Sequence, residues 1–127
     1  MLNRTKLLDS IRPTITTVIE SSTVFEIFQS KTLRPILKFQ NECLLLLFKH
    51  YLVECKIKTD SLTDEKKKFL IHTVLKKDLK LKTLLIGLIV GHFTIAELSF
   101  YCANRIETNK RIIELLIKRI SDQKEQL

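Results

Sequence analysis

The stretch TLRPILKFQNECLLLLFKHYLVECK, residues 32–56, decides the fold class. Leu33, Ile36, Leu37, Gln40, Leu44, Leu47, Phe48 and Tyr51 recur at intervals of three and four, the period of one helix face. Thr32 is a candidate N-cap, and Pro35 then falls in the first turn, where its missing N–H breaks no helical bond. No helix breaker follows before Thr59. Leu45, Leu46 and Leu52 widen the stripe until its middle is apolar nearly all round. A helix of that kind is covered on more than one side, either at the centre of a fold or in a subunit interface.

The rest of the chain agrees with helices. Among 127 residues there are two glycines and two prolines, too few for a turn-dense sandwich, a phosphate-cradling α/β fold or a low-complexity tail. Leucine and isoleucine together number 37, enough for a substantial core. Polar residues at helix starts punctuate the sequence instead. Asn3 caps a first helix to about Ile11, closed by Arg12-Pro13. Residues 14–20, rich in Thr, Val and Ile, read as either irregular or weakly helical. Thr23 with Glu26, Ser61 with Asp64 and Thr94 with Glu97 have the spacing of capping boxes, and Asp78 stands as a further cap between Leu75 and Leu79. Gly91 fits the end of the Leu79–Val90 segment as a left-handed C-terminal residue. A last helix runs from about Arg105 to Lys124, with Glu107–Arg111 and Glu114–Lys118 in the favourable acid-first order.

The expected architecture is an all-α, compact single-domain bundle of five to seven helices over residues 1–127, centred on residues 32–56. The expected core comprises Leu33, Leu37, Leu44, Leu47, Phe48, Tyr51, Leu70, Val74, Leu85, Ile89, Leu98, Ile106, Ile113, Leu116 and Ile120.

Charge and length then exclude several functions. The 22 Lys and Arg against 14 Asp and Glu leave a net charge of +8, which attracts anions without naming one. The longest uncharged run, 83–96, falls short of the roughly 20 residues that a membrane span needs. Charged residues in the first dozen positions leave no signal-peptide core, so the expected location is the cytoplasm. Cys43, Cys55 and Cys102 contain no CxxC pair and read as reduced, buried thiols.

Motifs for chemistry are absent from the sequence. Gly87 and Gly91 form a lone GxxxG, read as close packing between helices. No Glu-x-x-His pair is present, and His50, His72 and His92 share no zinc spacing with the cysteines. His50 does fall two turns after Cys43, so both can face one way, but ordinary packing is the simpler account. The expectation is therefore a protein with no enzyme activity, no cofactor and no metal. Gln40 and Asn109 interrupt apolar stripes; they suggest either a small polar pocket rimmed by Arg34 and Lys38, or a buried hydrogen-bonded pair that fixes helix register.

The segment Thr32-Leu33-Arg34-Pro35-Ile36-Leu37-Lys38-Phe39-Gln40, with Arg12-Pro13-Thr14, Gly91-His92-Phe93-Thr94 and Asn109-Lys110-Arg111, resembles a group of small, uncharacterised, all-helical bacterial proteins. Some of these carry a glyoxalase label. The resemblance implies no established activity, and familiar metal-dependent glyoxalases are β-rich, unlike the helices read here.

Two non-enzymatic functions remain. One is an interaction or structural module that self-associates as a homodimer through an apolar face of the central helix or of Leu79–Val90, because two such wide apolar arcs exceed what one small core hides. An apolar ligand held between helices is compatible with the same pattern. The other is a nucleic-acid-binding regulator resembling a helix-turn-helix over residues 94–120, with Arg105, Lys110, Arg111 and Lys118 toward phosphates and binding that is weak and salt-sensitive.

Overall fold

The computed structural model describes residues 3–13 and 23–127, and is all-α throughout that range, with no strand. Helices α1 (Arg4–Ile11), α2 (Val24–Phe28), α3 (Arg34–Phe39), α4 (Asn41–Glu54), α5 (Asp64–Lys77), α6 (Leu79–Val90), α7 (Ile95–Ala103) and α8 (Arg105–Ser121) follow in order, with a final 3-10 turn at Lys124–Gln126. A π turn at Gln29–Leu33 joins α2 to α3. Counted as one rod, that pair brings the described helices to seven, an all-α fold as the sequence pattern predicts. The alternatives for residues 14–20 fall outside the described residues.

Local chemistry sets most of the boundaries. The Asn3 side chain accepts from the Lys6 N–H at 3.0 Å, and Thr23 from the Glu26 N–H at 3.2 Å. Asp78 accepts from the Leu81 N–H at 2.9 Å, which divides α5 from α6. The capping box at Thr94 and Glu97 is complete, with bonds in both directions. Ser61 does not cap α5; Thr63 does, accepting from Lys66 at 3.3 Å.

Three expectations about helix ends are corrected. Thr32 is no N-cap, because the chain is already helical when it arrives there. The Arg34 N–H reaches the Gln29 carbonyl, five residues back. Pro35 accounts for the wide turn: it has no N–H, and its ring needs clearance from the carbonyl four residues earlier. The long helix of residues 32–56 is also interrupted, since Gln40 adopts a turn conformation between α3 and α4. Gly91 is right-handed, at φ −60°, and the left-handed residue is Lys56, at φ 57°. Lys56 closes α4 in a Schellman arrangement, with the Ile57 N–H donating to Leu52 at 2.9 Å and the Lys56 N–H to Val53 at 3.0 Å.

One core joins the π turn, α3, α4, α5, α6 and α8. Leu33, Leu44, Phe48, Ile71, Leu75, Leu85, Ile89, Ile112, Leu116 and Ile120 are fully buried there. Burying each such side chain contributes about 1.5–3 kcal/mol before the entropy of ordering it is set against the gain. Helix α8 packs on α5, α6 and α7, and α6 packs on α4, α5 and α8, while α4 lies against α3 and α6. Gln40 reaches the Leu88 carbonyl at 3.3 Å and the Tyr51 hydroxyl reaches Asp78 at 2.9 Å, so α4 and α6 run antiparallel.

Of the expected core, Leu47, Tyr51 and Leu70 are partly buried, whereas Leu98 and Ile106 are exposed, Ile106 by 84%. Asn104 alone separates α7 from α8; Ile106 shares the Ile113 side of α8 but sits in its first turn, where it stays exposed, and Thr108 is the first buried residue of the helix.

Candidate functional site

The strongest polar cluster sits where α1 meets the start of α7. Arg12 donates to both carboxylate oxygens of Glu97, at 2.8 and 2.9 Å, and to the His92 carbonyl at 2.8 Å. The Thr32 hydroxyl donates to Glu97 at 2.6 Å, and the Thr94 N–H at 2.9 Å. Arg4 extends the cluster, donating to the Gly91 and Phe93 carbonyls at 2.9 and 3.2 Å. Burial pushes the Glu97 pKa up, but the Arg12, Thr32 and Thr94 bonds outweigh it and hold the carboxyl below its usual range. His92 is lowered, first by burial and then by the positive charges of Arg12 and Arg4.

Buried, ionised and perturbed groups often mark catalytic sites. Here each oxygen of Glu97 already accepts two bonds, which uses the lone pairs of a carboxylate. The cluster is a clamp that ties the first helix, the π turn and α7 together. Nothing in the sequence spacing links Arg12 to Glu97, although the capping-box signal at Thr94 and Glu97 identifies one half of it.

Beside the clamp lies an aromatic layer. Phe28 stacks on Phe100 with ring centroids 4.5 Å apart and meets Phe93 edge-on at 5.5 Å. The Arg111 guanidinium lies 5.1 Å from the Phe25 ring centroid, bonds Glu107 at 3.2 Å and reaches Gln29 at 3.4 Å.

The four residues of the expected polar pocket are not brought together. Gln40 is buried on the Leu88 carbonyl, Lys38 is exposed, and Asn109 accepts a 2.7 Å bond from the Tyr101 hydroxyl. Arg34 lines a cavity of about 270 Å³ between α3 and α8, whereas Asn109 lines a different one of about 390 Å³. In the larger, Lys76, Lys82 and Lys110 surround an apolar floor of Leu79, Ile86, Ile106 and Ile113. The amides are therefore satisfied separately and do not pair with each other.

Of the four cations expected on nucleic acid, Arg111 is held by its own fold and Lys118 pairs with Asp122 at 3.2 Å. Arg105 and Lys110 are exposed. The single residue Asn104 between α7 and α8 replaces the three- to four-residue turn of a helix-turn-helix.

The thiols are corrected as well: Cys43, Cys55 and Cys102 are free but exposed, not buried. Cys43 and His50 do share the outer side of α4, where His50 pairs with Glu54. Among the described residues no three His, Cys, Asp or Glu side chains gather as metal ligands, and no helix is long and apolar enough to cross a membrane. Gly87 also departs from the close-packing expectation: beyond its chain neighbours and its own helix backbone, nothing lies within 4 Å of the position its Cβ would take.

The outer side of α4 carries exposed apolar side chains. Leu46 and Val53, seven residues apart, are 68% and 73% exposed. Glu42, Cys43, His50 and Glu54 share that arc, while Leu44, Leu45, Phe48 and Leu52 face inward. Comparison with known proteins returns no matching family model, curated protein or solved structure.

Proposed function

We propose that this protein is a non-catalytic helical interaction module that pairs with a second copy of itself through the outer face of α4. The observation that carries this reading is the exposure of Leu46 and Val53 on a helix whose inner side, Leu44, Leu45, Phe48 and Leu52, is buried. Apolar side chains two turns apart on one helix form a ridge, and ridges pack against ridges of neighbouring helices.

Charge supports a second copy as the occupant. Glu42 lies four residues before Leu46, and Lys49 and His50 lie three and four residues after it. An antiparallel pair crossing at Leu46 therefore sets Glu42 of one copy against Lys49 and His50 of the other, twice over. Such self-complementarity is what a two-fold interface requires.

Light scattering over a dilution series tests this. The expected result is a dimer mass that falls toward the monomer on dilution, and a monomer at every concentration for Leu46→Glu with an unchanged circular dichroism spectrum. Cys43 supplies a second readout, since a short bis-maleimide should couple two copies across the same face. A monomer mass for the unaltered protein at all concentrations overturns the proposal.

A further inference from the structure

The cavity between α3 and α8 carries a charge arrangement that the fold does not need. Arg34, Lys118 and Arg119 line it together with Asp122, over Leu37 and Leu115. Lys118 pairs with Asp122, but neither arginine has a carboxylate within 4 Å among the described residues. Two guanidinium groups sharing one concavity repel each other; burial and then Arg34 disfavour the charged form of Arg119, partly offset by Asp122. The negative end of the α8 dipole accounts for Lys118 and Arg119 in its last turn. It does not account for Arg34, which comes from another helix.

Arg119 is also held in place. It donates to the Asn41 side chain at 3.3 Å, and Asn41 and Gln123 exchange amide bonds of 2.8 Å in both directions. Gln123 further donates to the Arg119 carbonyl at 3.0 Å. One of the five guanidinium N–H donors of Arg119 is thereby used, while Arg34 donates to no described residue. Arg119 is thus held with free donors facing the exposed guanidinium of Arg34, and free guanidinium donors are suited to bidentate recognition of oxyanions.

We infer that this cavity binds a small phosphomonoester, its phosphoryl group between Arg34 and Arg119 and its organic part over Leu37 and Leu115. Three cations and one acid leave a local charge of +2, which matches the charge of about −1.5 to −2 on a phosphomonoester at neutral pH. The volume of about 270 Å³ lies just under the roughly 300–1,000 Å³ of drug-sized sites, so the ligand is smaller than a nucleotide. The site is separate from the α4 face proposed for pairing.

The test uses inorganic phosphate and phenyl phosphate, titrated into the full chain at constant ionic strength, with amide chemical shifts as the readout. Saturable shifts confined to residues around Leu37, Leu115 and Gln123, tighter for phenyl phosphate, are expected. Arg34→Gln should weaken binding at least about ten-fold, the usual loss for one charge-assisted bond pair, because an exposed arginine is removed without disturbing the core. Arg105→Gln removes the same charge from an exposed position elsewhere and should leave the affinity unchanged. Non-saturating shifts spread over the basic surface, equal losses in the two variants, or equal binding of acetate each overturn the inference. Duplex DNA that shifts these residues while phenyl phosphate does not also overturns it.

Discussion

Arg12 grips both oxygens of Glu97 across 85 residues of sequence, at 2.8 and 2.9 Å. The pair is mostly buried, with side-chain exposures of 12% and 17%. Its position explains how a short, charged first helix without a single buried residue stays on the bundle. Removing one partner from such a pair strands the other charge. Arg12→Ala should therefore cost about 3 kcal/mol, the lower end of the range for buried pairs because some exposure remains. Glu97→Ala should cost a similar amount, and the double variant clearly less than the sum. Urea unfolding of the four proteins measures the coupling; additive losses would show that the two residues act independently.

Acid should destabilise the protein over two separate pH ranges. His92 has a lowered native pKa, through burial and then Arg12 and Arg4, so the unfolded chain takes up its proton first. Stability is complete above the unfolded histidine value of about 6.5 and declines as pH falls toward the native value. Asp78 is lowered by the Leu81 N–H and then by Tyr51, and Glu97 is lowered despite burial by Arg12, Thr32 and Thr94. Their contributions are intact above the unfolded carboxylate values of about 4 and are lost as pH falls through the native ones. A melting-temperature profile from pH 8 to pH 2 should show both declines, and His92→Gln should remove only the upper one.

Thr108 offers a simple gain. It is 1% exposed, and its hydroxyl has no hydrogen-bond partner. Thr108→Val keeps the branched shape and removes the unsatisfied group. An increase of about 1 kcal/mol is expected from unfolding in denaturant; a loss would reveal a partner for the hydroxyl.

Lys56 is a non-glycine residue at φ 57°, closing α4. Lys56→Gly relieves the steric cost of that conformation, partly offset by a more flexible unfolded chain. A net gain of about 0.5–1 kcal/mol should follow. Differential scanning calorimetry reads it as a raised midpoint with an unchanged unfolding heat capacity.

Features made by neighbours in sequence were the legible ones. Asn3, Thr23, Asp78 and Thr94 cap helices because each cap involves residues within one turn. Thr32 shows where that logic ends. A hydroxyl three residues before a proline has the composition of a cap, yet its partner is Glu97, 65 residues away. Periodicity identified Leu44, Phe48, Leu85 and Leu116 as buried, but it misplaced Ile106, which shares the Ile113 side of α8 yet sits in the first turn, where no neighbour covers it. The Arg34–Arg119 cavity was half visible: Arg34 stood out beside Gln40, whereas Arg119 and Asn41 gave no local signal, since only tertiary packing brings α3 and α8 together.

The π turn before Pro35 acts as a counter that skips one residue. A regular helix advances 100° per residue, so the extra residue rotates α2 by about that angle relative to α3. Phe28 reaches Phe93 and Phe100 only in the skipped frame. A one-residue deletion at Ser30 would restore an uninterrupted spiral and leave the composition almost untouched. It would also swing the aromatic face of α2 away from α7 and move Thr32 off Glu97. The chain thus keeps an apparent irregularity whose removal, by making the helix more regular, would detach α2 from α7.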